Sequence, residues 1–248
     1  MTTSFAGKSV LVTGGSRGIG RTIALRLAEL GAARVTISYL RNDQAAEETA
    51  ARLAELGAEP FLFRGNLGDP DKTAALVDQA GPLDLIVSNA ATGVIRPLLE
   101  LDEKHWDWTL NANARALFTL ARLAAPAMPP GSSIVAVSSL GSTRVLDNYL
   151  LVGVSKATLE ALVRYLAVEL APNGIRVNAV SAGLVETGAL DYFPNKDEML
   201  DFYRKRTPAG RLVEPADVAD MVCFLASPAA EMVRGQIVVV DGGYSVLA

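Results

Sequence analysis

Three residues in the second half of the chain have the types and spacing for proton-transfer chemistry: Ser139, Tyr149 and Lys156. Tyr149 and Lys156 are seven residues apart in a helical pattern, close to two full turns, so their side chains can share one face. An ammonium beside a phenol favours the phenolate and therefore lowers the phenol pKa. We expect Tyr149 to donate a proton or a hydrogen bond to an oxygen that gains negative charge. The alternative is a tyrosine at the edge of the core and a lysine on the surface.

A glycine-rich turn near the start of the chain predicts a nucleotide site for these residues to act on. Residues 13–20 follow a strand pattern at residues 9–12 and precede a helical pattern at residues 21–28, which is the context of a dinucleotide-binding turn. Glycines let the chain approach a pyrophosphate closely, and the N–H groups at the helix start favour phosphate. An ordinary tight strand–helix turn is the alternative. The predicted cofactor contacts here are Gly14, Ser16, Arg17, Gly18, Ile19 and Gly20.

The end of the second strand pattern indicates which dinucleotide binds. After residues 34–38 the chain has no carboxylate before Asp43, so no acidic residue is placed to bind the adenosine ribose hydroxyls. Arg41, together with Arg17, could instead clamp a 2′-phosphate. We therefore predict NADPH rather than NADH, with Tyr39 and Arg41 among the cofactor contacts. The alternative is that both arginines are solvated surface residues.

Two later strand patterns, at residues 61–64 and 83–87, end in segments that could also contact the cofactor. Asn66 could bind the adenine edge or act only as a turn former. Small residues after the second of these strands would let a cofactor lie against the backbone at the crevice of the sheet. The predicted contacts in the two segments are Asn66, Leu67, Asn89, Ala90 and Ala91.

Strand and helix patterns alternate along the chain, which predicts an α/β fold. We expect a Rossmann-type doubly wound parallel sheet of about seven strands, flanked by helices on both faces, in a single domain at residues 1–248. Residues 181–208 show no regular pattern, and a loop of that length in a compact domain is usually functional. Residues 184–210 are therefore predicted to form a substrate-binding loop or lid.

Two other segments carry specific expectations. Residues 101–125 show one long helical pattern, with His105 near its start as a capping or surface residue. Asn113 is an amide in an otherwise apolar part of that helix, where it could mark a kink or bond to a neighbouring helix. The last strand pattern covers residues 235–243.

Composition excludes several classes of protein. The net charge of −4 and the lack of a basic stripe argue against nucleic-acid binding. The chain has one cysteine, Cys223, and one histidine, which provide no ligand set for a metal site, so no metal is expected. Cys223 lies in an apolar helical pattern and is predicted to be a small buried residue of the core. No signal peptide and no apolar run of spanning length is evident, which predicts a cytoplasmic protein without a membrane partner.

Together these motifs resemble the short-chain dehydrogenase/reductase superfamily from end to end. The matching residues are Thr13-Gly14, Gly18-Ile19-Gly20, Asn89-Ala90, Asn113, Ser139, Lys156, Gly183, Thr187 and Asp241-Gly242-Gly243. The resemblance implies that Lys156 holds the nicotinamide ribose hydroxyls and that Thr187 binds the carboxamide. It also implies that Ser139 contacts the substrate oxygen and that Asn113 organises a proton-relay water through its helix.

The position of the tyrosine differs from that of most members and indicates which branch of the superfamily this chain resembles. The tyrosine of most members lies four residues before the lysine, where this chain has Val152, and Tyr149 stands three positions earlier. The resulting Tyr-x6-Lys spacing is similar to that of enoyl-acyl-carrier-protein reductases. The segments at residues 88–97 and 138–142 resemble the NADPH-dependent enoyl-acyl-carrier-protein reductase III family.

The displaced phenol has a physical rationale. In ketone reduction the oxygen that is protonated lies roughly 1.2 Å from the carbon that receives hydride. In enoyl-thioester reduction the charge gathers on an oxygen about 3 Å or more from that carbon. Moving the phenol three helical positions shifts its anchor by about 4.5 Å. The spacing leaves the direction of this shift open.

The resemblance implies NADPH-dependent reduction of trans-2-enoyl thioesters on acyl carrier protein, the last step of a fatty acid elongation cycle. The carrier would be a partner, and Arg204, Lys205 and Arg206 are candidate docking residues, although such a run is usually a solvated face. The family also implies a homo-oligomer, a tetramer or a dimer. The alternatives are a 3-oxoacyl or other carbonyl reductase of the same fold, and a non-catalytic nucleotide-binding scaffold.

Overall fold

The computed structural model describes residues 4–186 and 196–247. Within them, parallel strands form one sheet in the order β3-β2-β1-β4-β5-β6-β7. The strands are β1 (Ser9–Val12), β2 (Arg34–Tyr39), β3 (Glu59–Arg64), β4 (Leu85–Ser88), β5 (Ser133–Ser139), β6 (Arg176–Ala182) and β7 (Ile237–Val240). The helices are α1 (Gly18–Glu29), α2 (Asp43–Glu55), α3 (Pro70–Ala80), α4 (Glu103–Leu110), α5 (Ala116–Ala124), α6 (Leu150–Glu169), α7 (Lys196–Arg206) and α8 (Pro215–Ala226).

Alternate strand residues fill two hydrophobic cores, one on each face of the sheet. In β1, Val10 and Val12 pack in the core shared with α1 and α8, and Leu11 packs in the core shared with α3, α5 and α6. All three side chains are fully buried. Apolar side chains on both faces are what a parallel sheet covered by helices requires. The predicted Rossmann-type doubly wound sheet is confirmed.

The strand order places a crevice beside β1. Its neighbours are β2 on one side and β4 on the other, so the chain changes direction across the sheet at this point. In open α/β sheets, ligands bind at the carboxyl ends of the strands where the order reverses. The segments that follow β1, β4 and β5 therefore share one edge, and the candidate site is built there.

The long helix predicted at residues 101–125 is interrupted. A π-helical turn, Asn111–Arg115, joins α4 to α5, so the hydrogen-bond ladder widens around Asn113. Single π turns inside helices are often found at functional sites. The capping prediction for His105 is confirmed, because Asp102 and His105 form a reciprocal capping box at the start of α4.

Two predictions about the second half of the chain were wrong. Residues 196–206 of the segment expected to be irregular form α7, while residues 187–195 lie outside the described residues. The helix has acidic residues in its first turn, basic residues in its last turn and an Asp201–Lys205 ion pair at 2.6 Å, all of which favour a helix without giving it an apolar pattern in the sequence. The last strand ends at Val240, because Gly242 and Gly243 turn the chain with positive φ angles of 63° and 90°.

In the part of the chain that the structure describes, no helix is long and apolar enough to cross a bilayer. Cys223 is buried in the core, as its surroundings in the sequence predicted.

Candidate functional site

The turn after β1 is shaped to bring a ligand close to the start of α1. Gly14 and Gly18 have positive φ angles of 66° and 53°, which side chains disfavour. A Cβ on Gly20 would lie 2.2 Å from the Gly14 carbonyl oxygen, so only glycine allows the helix to approach the turn this closely. The N-cap residue Arg17 makes no side-chain cap, and the first turn of α1 holds no acidic residue. The N–H groups at this helix start therefore remain available to an anion.

The same turn is tied to the end of β4. The hydroxyl of Thr13 accepts hydrogen bonds from the backbone N–H groups of Asn89 and Ala90, each at 2.9 Å. The amide of Asn89 donates to the carbonyl oxygens of Thr13 and Gly14 at 2.9 and 3.3 Å. The side-chain amide of Asn89 thus holds the glycine turn in place. Ala90 and the exposed Ala91 lie beside it at the crevice.

The end of β2 brings the two arginines to the same edge. The N–H of Gly15 donates to the Ser38 carbonyl oxygen at 3.1 Å, which joins the glycine turn to the strand that precedes Tyr39 and Arg41. Arg17 and Arg41 are both exposed, and neither forms an ion pair within the described residues. Burial raises the pKa of Tyr39, and the nearby Asp43 raises it further, so its hydroxyl remains a neutral hydrogen-bonding group. The two cations thus follow neighbouring strands, β1 and β2, at the same edge of the sheet.

At the end of β3 the structure favours the structural interpretation of Asn66. Its Oδ1 accepts from the Gly68 N–H at 3.0 Å, which is a local turn contact. Leu67 has its side chain in the core and its carbonyl oxygen bonded to Thr73. Both residues lie at the carboxyl edge of the sheet, so any contact with a nucleotide comes from the exposed face of this turn.

The candidate reacting groups lie where β5 faces the start of α6. Tyr149 is the N-cap residue of α6, and its hydroxyl lies 3.4 Å from Ser139 Oγ. Its ring packs over Gly141, where an added Cβ would lie 2.5 Å from Cε1 of the ring. Asn148, just before it, has a φ of 58°, a conformation that turns the chain sharply at the helix start. The structure thus brings Ser139 and Tyr149 together, while Val152 is a buried apolar residue.

The expectation that Lys156 lowers the pKa of Tyr149 was wrong. Burial raises the phenol pKa, and only the contact with Ser139 opposes that rise. A residue at the helix N-cap can turn its ring away from the line of side chains that helical spacing predicts, and Tyr149 faces Ser139. The phenol therefore stays protonated at neutral pH and serves as a hydrogen-bond donor.

Lys156 is buried, not on the surface. It is 5% exposed, and its Nζ donates to the Val137 carbonyl oxygen at 2.7 Å. Burial lowers the pKa of Lys156 to about 8, and the negative charge of Glu160 opposes that shift. The ammonium is thus held against β5, two residues before Ser139 on the same strand.

Asn113 connects three segments through its side chain. Its Oδ1 accepts from the Thr92 N–H, and its Nδ2 donates to the Thr92 carbonyl oxygen and to Ser155 Oγ, all at 2.8 Å. Because Ser155 precedes Lys156 in α6, the amide couples the π turn to the helix that carries the ammonium. The predicted bond to a neighbouring helix is confirmed, and all three contacts are internal.

Sequence reasoning missed two groups near the site. Glu160, 6% exposed, lies one turn beyond Lys156, and its carboxylate accepts from Ser138. Tyr203 of α7 stacks on Tyr244 with ring centroids 4.4 Å apart; its pKa is raised to about 12, mainly by burial and also by Tyr244, Asp147 and Tyr149. The charged residues 204–206 gave Tyr203 the pattern of a surface position. Glu160 stands alone in the mostly apolar stretch 157–163, which was the signal that could have found it. Thr187 lies outside the described residues.

Comparison with known sequences gives a family for this arrangement. The profile of a family described as enoyl-(acyl carrier protein) reductase matches residues 14–245. The chain belongs to this family. It is thus a short-chain dehydrogenase/reductase and an oxidoreductase, and the predicted resemblance is confirmed.

Three relatives illustrate the proteins to which this short-chain dehydrogenase/reductase is similar. A 1-cyclohexenylcarbonyl-CoA reductase of Streptomyces collinus is 39% identical over 96% of this chain and 87% of its own length. A short-chain dehydrogenase from Burkholderia cenocepacia, in complex with NADP, is 35% identical over 97% of this chain and 99% of its own, with a TM-score of 0.90. A blue fluorescent protein from a metagenomic library, in complex with NADPH, is 32% identical over 98% of this chain and 99% of its own, with a TM-score of 0.89.

Proposed function

We propose that this protein catalyses the NADPH-dependent reduction of trans-2-enoyl thioesters carried on acyl carrier protein, as the last step of a fatty acid elongation cycle. The observation that carries the proposal is the position of the phenol. Tyr149 reaches Ser139 from the start of α6, whereas the position four residues before Lys156 holds the buried, apolar Val152. A donor set back along the helix suits a reaction whose charge develops away from the carbon that receives hydride.

The glycine turn and the two arginines support NADPH as the reductant. NADPH supplies the hydride. The N–H groups at the start of α1 would bind its pyrophosphate, and Arg17 and Arg41 would bind its 2′-phosphate. Lys156 would bind the nicotinamide ribose, because its ammonium lies at the carboxyl end of β5. The NADP and NADPH held by the two structural neighbours are in keeping with this cofactor.

Tyr149 and Ser139 would act on the thioester oxygen. As hydride adds to the β-carbon, the electron pair of the double bond moves toward that oxygen. The protonated phenol of Tyr149 then donates a hydrogen bond to the developing enolate. The enolate collapses when a proton from solvent reaches the α-carbon. Tyr203, whose raised pKa reflects in part the nearby Tyr149, would line the acyl side of this pocket.

One relative supports a thioester substrate. The Streptomyces collinus reductase is named for a carbonyl-CoA thioester attached to a ring double bond, which is a conjugated enoyl thioester. That protein's name specifies coenzyme A as the carrier. Acyl carrier protein and coenzyme A present the same thioester to the reacting groups. The surface around the site would therefore determine which of the two carriers binds.

Carbonyl reduction is the second candidate, because Ser139 Oγ and Tyr149 OH, 3.4 Å apart, can bond to one ketone oxygen together. Rates of NADPH oxidation with crotonyl and acetoacetyl thioesters decide between the two. We expect turnover of the crotonyl thioester to exceed that of the acetoacetyl thioester. Turnover of the keto substrate alone would reject enoyl reduction. Running NADH beside NADPH tests the cofactor in the same assay.

A scaffold that binds the nucleotide without catalysis is the third candidate. Tyr149→Phe removes the hydroxyl and keeps the ring over Gly141. We expect this variant to bind NADPH as the wild type does and to lose most of its turnover. NADPH binding by the wild type without turnover of any thioester would support the scaffold.

The carrier would dock at the basic end of α7, where Arg204 is exposed and Lys205 is paired with Asp201. An acidic carrier would be attracted locally, although the chain as a whole carries a net charge of −4. We expect Arg204→Glu to raise KM for the carrier-bound thioester and to leave KM for the coenzyme A thioester unchanged. Arg122→Glu, at the exposed end of α5, is the matched control. An equal rise for both substrates would contradict docking at α7.

We also propose that the protein assembles with further copies of itself, as a tetramer or a dimer. Large apolar side chains remain exposed on α5 and α6, among them Phe118, Tyr165 and Val168 at 45%, 71% and 74%. Exposed apolar patches of this kind often mark subunit contacts. Light scattering of the purified protein measures the assembly, and a monomer would contradict the proposal.

A further inference from the structure

Three consecutive residues of β5 bind side chains of the α6 segment. The pairs are Val137 O with Lys156 Nζ at 2.7 Å, Ser138 Oγ with Glu160 Oε1 at 2.6 Å, and Ser139 Oγ with Tyr149 OH at 3.4 Å. The first and last pairs contain the groups assigned above to cofactor and substrate. The middle pair, which lies between them on the strand, has no part in that mechanism.

Glu160 is buried, and its contact is strong. Only 6% of the residue is exposed, and Ser138 beside it is 4% exposed. A carboxylate away from water is costly unless it is hydrogen-bonded or paired with a charge. The 2.6 Å separation lies in the range of a hydroxyl that donates to an ionised carboxylate. Because solvent does not reach this acid, other groups of the protein must stabilise it.

Glu160 acts on Lys156 from one helical turn away. Burial lowers the pKa of Lys156 to about 8, and the charge of Glu160 is the influence that opposes it. In the part of the chain that the structure describes, the groups of other elements that hydrogen-bond to Lys156 and Ser155 are uncharged: the Val137 carbonyl from β5, and the Asn113 amide. Tyr149 directs its hydroxyl to Ser139. Among the described residues, Glu160 is thus the acidic group whose charge acts on the buried ammonium, without a direct ion pair between them.

We propose that Glu160 is a positioning residue, whose carboxylate keeps Lys156 charged inside the protein and, through Ser138, fixes α6 against the strand that carries Ser139. The inference rests on the proposed role of Lys156 in holding NADPH. It adds to that role a residue which touches neither cofactor nor substrate.

The test is the dissociation constant of NADPH, followed by its fluorescence, in Glu160→Gln between about pH 6.5 and 9.5. Glutamine can still accept the Ser138 hydrogen bond, so the change removes charge while keeping that contact. We expect affinity near the wild-type value at the acid end. The pH at which affinity is half lost should fall by about one unit, which is about a tenfold weaker affinity near pH 8.5. An unchanged midpoint would overturn the proposal.

Three further variants make the result specific. Glu169→Gln, at the exposed end of α6, should leave the midpoint in place. Ser138→Ala keeps the charge and removes the donor, so we expect a lower kcat with little change in the midpoint; an unchanged kcat would remove the part assigned to Ser138. If Glu160→Gln does not fold, Glu160→Asp replaces it. Because aspartate keeps the charge, its midpoint should stay near that of the wild type, and a fall of about a full unit would overturn the proposal.

Lys156→Met separates this inference from the function on which it rests. If that variant binds NADPH as tightly as the wild type at every pH, the proposed role of Lys156 fails. If it binds weakly while Glu160→Gln behaves as the wild type does, the role of Lys156 stands and the inference about Glu160 fails.

Discussion

Helices α1 and α3 leave the same edge of the sheet and begin in opposite ways. At the start of α3, Asp69 caps the Asp71 N–H, Pro70 occupies the first turn and Asp71 adds a negative charge near the positive end of the helix. The start of α1 has neither a side-chain cap nor an acid, and its N-cap residue is Arg17. Both helices face the same electrostatic problem, the unpaired N–H groups of a first turn.

The difference shows how one fold separates stability from binding. In α3 a side chain of the protein itself accepts a hydrogen bond from the first turn of the helix. This cap stabilises the folded state, and the capped N–H group is no longer available to a ligand. In α1 the same donors stay available, and glycines keep side chains out of the approach. A helix end that binds an anion therefore gives up the stability that a cap would contribute.

The largest expected effect comes from closing the approach at α1 with Gly20→Ala. The new Cβ would lie 2.2 Å from the Gly14 carbonyl oxygen and 2.5 Å from the Asn89 amide nitrogen, so the turn must move. Overpacking of this kind costs about 1–3 kcal/mol, and we expect NADPH to bind roughly 10- to 100-fold more weakly. Isothermal titration measures the change. Gly57→Ala is the control away from the turn: its Cβ meets nothing within 4 Å, and its φ of 87° adds backbone strain without blocking the approach to α1. Equal NADPH affinities in the two variants would contradict the prediction.

A second variant, Arg17→Asp, gives α1 the type of start that α3 has. A capping carboxylate should raise the free energy of unfolding of the unliganded protein by about 1 kcal/mol. The same change removes a cation and places an anion beside the phosphates, so we expect NADPH affinity to fall by about tenfold or more. Urea unfolding and NADPH titration measure the two effects. If both quantities change in the same direction, the contrast between the two helix ends is wrong.

The buried ammonium of Lys156 predicts a pH dependence. Because the pKa of Lys156 is about 8, we expect NADPH affinity to fall as pH rises through that value, by at most about tenfold per unit. Between about pH 8 and 10.5 the unfolded chain binds more protons at this lysine than the folded chain does. The contribution of Lys156 to stability therefore rises with pH over that range while affinity falls. Lys156→Met should remove both dependences, and their persistence would assign them to another group.

The smallest effect is expected at α3. Asp69→Ala removes its cap and should lower the free energy of unfolding by about 1 kcal/mol. NADPH affinity should not change, since this helix end satisfies its own donors. Urea unfolding and the same titration test both statements, and a weaker NADPH complex would show that α3 also takes part in binding.

Local patterns were sufficient for the fold and for the glycine turn after β1. The alternation of apolar runs with helical periodicity predicted the parallel sheet, and the glycine spacing identified the turn after β1. The apolar periodicity and the glycine spacing both involve residues that are close together in the sequence. The pattern failed for α7, because a helix held by charges at its ends and an ion pair has little apolar periodicity.

The sequence by itself determined the alternation of strands and helices outside α7, the family, and the residue types at the carboxyl edge of the sheet, since all of these are carried by short, contiguous motifs. Only the tertiary structure decided that Lys156 and Glu160 are buried, that Tyr149 turns toward Ser139, and that the phenol pKa is raised. Burial and pKa depend on what packs against a side chain, and here the packing surface is β5, which precedes α6 in the chain and meets it only in the folded protein.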